Sequence, residues 1–239
     1  LGPKASKTAE GEPHLGETMD IDALLGALTS LAVDPACRLV TLERLHAELA
    51  AQTLRDLTPT PELYAGLLGL LPRAWASFEP EALRRLHAWT RGVLALPEFS
   101  EGEAVQTAVT PAFVSATLER MASLRNADTE QLPMPPTAVG PSRAPVGPSA
   151  AAGDTASELA VLQGLLHWAY RGAVTVRAPM RAALGAALLK MSAAPVPPPA
   201  LRSALELLCA IISGFGEPTA AHRRLLTEVL LPLRRPAAR

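Results

Sequence analysis

Apolar residues recur along this chain at three- and four-residue intervals, in short runs punctuated by proline and glycine, which is the rhythm of amphipathic helices. Asp20 fits the N-cap of a first helix, Ile21 to Val33, whose Leu24, Leu25, Leu28 and Leu31 form one face before Asp34-Pro35 ends it. Leu39 to Leu54 carries a second stripe at Leu39, Leu42, Leu45 and Leu49, with Glu43, Arg44 and Glu48 toward water. Thr58-Pro59-Thr60-Pro61 then breaks and recaps the chain. Glu62 to Ser77 reads as a third helix interrupted by Pro72, and Glu79-Pro80 opens a fourth that reaches Leu96. The short connection between them predicts an antiparallel pair. Thr110-Pro111 opens a fifth helix through Met121. Further runs follow at Glu158 to Arg171, Val176 to Met191, Ala200 to Gly214 and Pro218 to Leu233. The breaks between them are Gly172, the cluster Pro195 to Pro199, and Gly214 to Gly216.

β-branched residues never gather into alternating runs, so no strand is expected and the fold class is all-α. Helical hairpins recurring at roughly 35 to 45 residues suit an α-solenoid of HEAT-like units, a right-handed superhelical repeat, better than a bundle of long helices. Four segments result: a disordered tail over 1–18, helical repeats over 19–125, a Pro-rich disordered loop or insertion over 126–155, and helical repeats over 156–235. The third rests on a sharp composition shift, with six prolines and no helical period from Asn126 to Thr155. Leu1 is not an initiator Met and no capping signal precedes the end at Arg239, features expected of a fragment or a processed product.

Composition narrows the classes. With 239 residues, 49% hydrophobic but only 4% aromatic, the chain can bury a sizeable core of Leu and Ala, as stacked helices do. A formal net charge of −1 lacks the concentrated cationic surface on which nucleic-acid affinity rests, so nucleic acid is not an expected partner. Cys37 and Cys209 show no CxxC or Cys/His spacing and read as reduced thiols. No 18-residue segment is apolar enough to span a membrane. The expected site of action is the cytoplasm, with the nucleus also open. The five histidines, His14, His46, His87, His167 and His222, are scattered, and HExxH, GxSxG, GxxxxGK and GxGxxG are all missing, so neither catalysis, metal binding nor a cofactor is expected. Trp75, Trp89 and Trp168 read as core or inter-repeat packing.

The densest signal runs from Leu205 to Arg235, LELLCAIISGFGEPTAAHRRLLTEVLLPLRR. Leu205, Leu208, Cys209 and Ile212 recur at helical spacing, a tight turn follows at Gly214-Phe215-Gly216, and a second apolar run closes on Pro232. The order ELLCAIISGFGEP, His222 and VLLPLRR resembles the middle of the B-prime regulatory subunits of protein phosphatase 2A, whose pattern is ELLEILGSIINGF, a His, and VLLPLH. LHWAYRGAVTVRAPMR from Leu166 is similar to the family's LHRIYGKF followed by LRAFIR. LPEFSE from Leu96 sits where the family has a Ser-Pro-Asp-Phe turn, and TLERLHAEL from Thr41 resembles its TLNEL helix. The match spans roughly Thr41 to Arg235, about the N-terminal half of the family's array, and is weak between these motifs.

The resemblance implies a regulatory, non-catalytic subunit that presents substrates to a phosphatase catalytic subunit and a scaffold subunit. It also implies a concave pocket that holds an LxxIxE short linear motif of substrate proteins. The residues it assigns to that pocket are His167, Tyr170, Arg177, Arg181, Glu206, Leu207, Ile211 and His222. Spacing alone puts His167 and Tyr170 on one helix face, Arg177 and Arg181 on another, and Leu207 and Ile211 on a third. By themselves the two arginines read as a solvated face, and the Leu207/Ile211 pair as core. Trp168 stands where the family has Arg and Thr219 where it has Lys, with one residue deleted between Phe215 and His222, so two cationic contacts are expected to be lost. The Pro-rich stretch replaces an acidic turn of the family, and the family's C-terminal half has no counterpart here. These departures leave open a second class, a divergent HEAT-like scaffold that binds other proteins and has no phosphatase link.

Overall fold

A computed structural model describes residues 20–99, 102–124, 150–194, 198–214 and 219–231. The tail expected over 1–18 and the Pro-rich stretch over 126–149 lie outside these residues, as do His14 and Phe215. Among the described residues every regular element is helical, and there is no strand.

Local sequence sets the helix starts. Helix α1 spans Ile21–Val33, and the Asp20 carboxylate accepts the Ala23 N–H at 2.7 Å as its N-cap. Asp34 ends the helix in an extended conformation, and its carboxyl takes the Ala36 N–H. Helix α2 spans Arg38–Ala50, followed by a 3₁₀ turn at Thr53–Asp56, where one run to Leu54 was expected. Its buried face is Arg38, Leu42 and Leu45. Leu42 and Leu45 are buried and Leu49 partly buried as the stripe predicts, but Leu39 is exposed and Arg38 takes its place on the buried face.

Helices α3, Pro61–Ser77, and α6, Pro111–Ser123, share one device: a Thr-Pro pair in which the threonine hydroxyl accepts an amide of the first turn and the proline occupies the first helical position. Helix α3 runs unbroken through Pro72, where the sequence predicts an interruption. Its buried Leu67, Leu68, Leu70, Leu71 and Ala74 flank the proline on both sides, and this packing holds the helix despite the missing N–H. Helix α4, Pro80–Leu94, gives way to a 3₁₀ turn at Pro97–Phe99. A short helix that the apolar pattern did not reveal, α5 at Glu103–Ala108, precedes α6.

Helix α7 spans Ala150–Gly172. It begins eight residues before the expected start at Glu158 and takes in the last part, 150–155, of the stretch assigned to the Pro-rich loop. Pro148 is the final proline of that stretch, and the Ala-rich sequence after it is helix-compatible. Helices α8, Arg177–Ser192, and α9, Ala200–Ser213, follow, and α10, Ala220–Leu225, continues into a π-helical turn at Leu226–Leu230. That widened turn keeps Leu225 and Val229 buried and leaves Leu226 and Leu231 exposed.

Helices two or three apart along the chain pack side by side, giving two rows. One row is α1, α3, α6 and α8, extended by the π-turn; the other is α2, α4, α7 and α9. Between the rows lies a continuous core. At its centre the Tyr64 Oη–H and the Trp168 Nε1–H both donate to the Phe99 carbonyl, at 3.1 and 2.9 Å. The Tyr64 ring lies 5.8 Å from that of Trp168 and 6.0 Å from that of Phe99. This cluster ties α3 and α7 to the 97–99 turn, and burial pushes the Tyr64 phenol up to about 12. Arg38, 5% exposed, donates to the Leu31 and Ser77 carbonyls at the ends of α1 and α3 and lies 4.1 Å above the Phe78 ring. No helix among the described residues is long and apolar enough to cross a membrane.

Candidate functional site

Where α7 ends, α8 begins, α9 ends and α10 begins, the two rows leave a cavity of about 570 Å³. Its walls are His167, Tyr170 and Arg171 from α7, Arg177 and Arg181 from α8, Ala210, Ile211 and Gly214 from the end of α9, and His222 from α10. Six of the eight residues assigned from sequence therefore meet here: His167, Tyr170, Arg177, Arg181, Ile211 and His222. The other two do not. Leu207 is 1% exposed and sits in the core one turn before Ile211. Glu206 is exposed, bonds Arg202 at 2.9 Å and lines a separate apolar groove with Leu205 and Cys209. A helix turns about 100° per residue, so neighbours at 206 and 207 cannot both share the Ile211 wall. The Arg202 hydrogen bond also holds the Glu206 carboxyl below its ordinary range.

Local chemistry fixes each side chain. The Arg177 Nε and Nη2 donate to the Tyr170 and Arg171 carbonyls at 2.8 and 2.9 Å. Arg177 thus caps the C-terminus of α7, where orphan carbonyls and the negative end of the helix dipole favour a cation. Its guanidinium also lies 5.5 Å from the Tyr170 ring centroid. Arg181 Nη1 donates to the Tyr170 Oη at 3.0 Å, so both arginines are braced by one tyrosine. His222 completes a capping box with Thr219: its Nδ1 accepts the Thr219 N–H at 3.1 Å, which leaves the ring proton of the neutral form on Nε2.

Among the described residues the cavity is electrostatically one-sided: no carboxylate lines it, and Arg171, Arg177 and Arg181 make no ion pair. Arg171 is a cation that the resemblance does not assign, although its four-residue spacing from His167 puts the two on one helix face. Trp168, where the resemblance sets an Arg, is 8% exposed, faces the core and bonds the Phe99 carbonyl. Thr219 acts instead as the N-cap that orients His222. Ile211, 2% exposed, and the partly buried Tyr170 ring form the apolar floor. An open cleft with an apolar floor and a ring of cations is suited to an extended acidic ligand.

Among the described residues no group of three or more His, Cys, Asp or Glu could hold a metal ion. Cys37 and Cys209 are free and exposed, and the hydrogen bond to Asp34 pushes the Cys37 thiol up, away from the thiolate that reactivity requires. Compared with known proteins, the chain matches no family model, no curated protein and no solved structure at a significant level.

Proposed function

We propose that the chain is a non-catalytic docking protein, an α-solenoid of HEAT-like hairpins, whose cationic cavity receives an acidic short linear motif of the LxxIxE type. The two rows of side-by-side helices support the solenoid reading. The observation that carries the functional reading is the convergence of His167, Arg171, Arg177, Arg181 and His222 around Tyr170 and Ile211, without a carboxylate among them. In this reading the motif's aliphatic side chains rest on Ile211 and the Tyr170 ring, and its Glu meets Arg181 and the His222 Nε2–H. A buried aliphatic anchor contributes about 1.5 to 3 kcal/mol, and a charge-assisted hydrogen bond about as much. Through the B-prime resemblance the role is regulatory: presentation of substrate proteins to the catalytic and scaffold subunits of protein phosphatase 2A, in the cytoplasm and the nucleus.

Fluorescence anisotropy with a labelled LxxIxE peptide tests the docking reading. Replacing the peptide's Glu by Gln, or Arg181→Ala in the protein, should each weaken binding about tenfold, and raised salt should weaken it further. Ile211→Asp should abolish binding by placing an unpaired charge on the apolar floor. Equal affinity for the Glu and Gln peptides, or no binding by the wild type, would overturn the assignment. Recovery of phosphatase catalytic and scaffold subunits with the tagged protein tests the phosphatase role separately. Peptide binding without those partners would leave a divergent HEAT-like scaffold.

A further inference from the structure

Nearer the other end of α7 lies a second cavity, of about 450 Å³, that shares no residue with the first. Trp75 and Phe78 at the end of α3 form an aromatic wall, Leu83, His87 and Arg91 of α4 a second wall, and Arg120 of α6 with Glu158 and Val161 of α7 a third. Among the described residues three arginines line it, Arg84, Arg91 and Arg120, against one carboxylate. That carboxylate, Glu158, is already paired with Arg120 at 2.7 Å. Arg91 makes no ion pair among the described residues.

Two buried polar groups on this wall remain underused. His87 is 4% exposed, and its Nε2 accepts the Trp75 indole N–H at 3.0 Å. The ring proton of the neutral form is therefore on Nδ1, which has no hydrogen-bond partner among the described residues. Thr90, 0% exposed, has a hydroxyl without a partner. It lines a smaller cavity of about 170 Å³, which runs on between α4 and α7 and shares Arg91 and Val161 with the larger one. A buried hydroxyl without a partner among the described residues is uncommon, and together with the His87 Nδ1–H it fits a polar guest. The crevice thus combines an aromatic wall, apolar surface at Leu83 and Val161, the Arg91 guanidinium, which has no ion pair among the described residues, and neutral hydrogen-bonding groups.

From this arrangement we infer a binding site for a small aromatic carboxylate, whose ring lies against Trp75 and Phe78, and whose carboxylate pairs with Arg91 and accepts from the His87 Nδ1–H one helical turn away. A planar acid suits the aromatic wall by offset stacking and suits arginine by bidentate pairing. The site stands on geometry separate from the peptide cavity and does not depend on the proposed regulatory role.

The test is a titration of the ¹⁵N-labelled full chain with 2-naphthoate, followed at the Trp75 indole N–H, which is assigned by its loss in Trp75→Phe. Saturable movement of that resonance is expected. Arg91→Gln, on an exposed residue, should weaken binding at least fivefold, and the neutral analogue 2-naphthalenemethanol should bind at least fivefold more weakly than the acid. Ala88→Trp, at the exposed rim, should fill the mouth and abolish the shift while leaving the melting temperature unchanged. No saturable shift, equal binding of acid and alcohol, or full affinity in folded Ala88→Trp would overturn the inference.

Discussion

Single residues carry more of this molecule's specificity than their types announce. Arg38 looks like an ordinary surface cation in sequence, yet it is 5% exposed and joins the ends of α1 and α3. Arg38→Met should lower unfolding stability by about 3 kcal/mol, because two carbonyls lose a charged donor and the interior keeps them. Urea titration would show it, and an unchanged midpoint would mean that the clamp is decorative. His87 predicts a pH dependence. Burial pushes its imidazole down from 6.5 to about 4, with Glu158 opposing and Arg120 adding to the fall. The folded ring stays neutral where an unfolded one takes up a proton, so stability is constant above about 6.5 and declines as the pH falls from there toward 4. At about 1.36 kcal/mol per pH unit the loss approaches 3 kcal/mol at the low end. His87→Gln should flatten that part of the urea-midpoint profile, and the same slope in both proteins would refute the assignment. Arg177 serves as the α7 cap, so Arg177→Ala should lower stability by about 1 to 2 kcal/mol as well as weaken peptide binding. A weakened peptide affinity with no fall in the melting temperature would show that the cap is dispensable.

At the scale of elements, the peptide cavity depends on how α10 is seated. Gly185 of α8 lets the π-turn come close: a Cβ there would lie 2.9 Å from Val229 Cγ2 and 3.8 Å from Leu225 Cδ1. Gly185→Ala sets two effects against each other. Alanine favours the helix by about 1 kcal/mol, while overpacking costs about 1 to 3 kcal/mol. Global stability should therefore change little or fall modestly, but α10 must shift, and His222 with it. Faster hydrogen exchange in 220–230 and a several-fold loss of peptide affinity are expected in Gly185→Ala. Unchanged exchange there would mean that Val229 simply turns aside.

Across the whole molecule, the row order α2, α4, α7, α9 beside α1, α3, α6, α8 gives inner helices two neighbours within a row and outer helices one. In such a stack stability is close to a sum of nearest-neighbour terms. Amides of α1 and α2 should accordingly exchange before those of α4, α6 and α7. Uniform protection from end to end would instead indicate a single cooperative unit. Far-ultraviolet circular dichroism should show helix without a strand component.

Much was legible in the chain itself. Helical periodicity, Thr-Pro caps and the Asp20 cap determined that the elements are helices and where most of them begin, because these are local steric and hydrogen-bonding choices. Six of the residues that meet at the cationic cavity were named through the resemblance, whereas helical spacing by itself gave shared faces but no convergence. What lay beyond the sequence was rotation and partnership. Only packing decided that the α2 stripe includes Arg38 in place of Leu39, that Pro72 stays inside α3, that Cys209 is exposed, and that Leu207 and Glu206 leave the cavity while Arg171 enters it. A shift of one residue on a helix moves a side chain by about 100°, and periodicity locates an apolar face no more finely than that. Tertiary structure also made the second cavity, since Trp75, His87, Arg120 and Glu158 come from four helices and no spacing along the chain connects them.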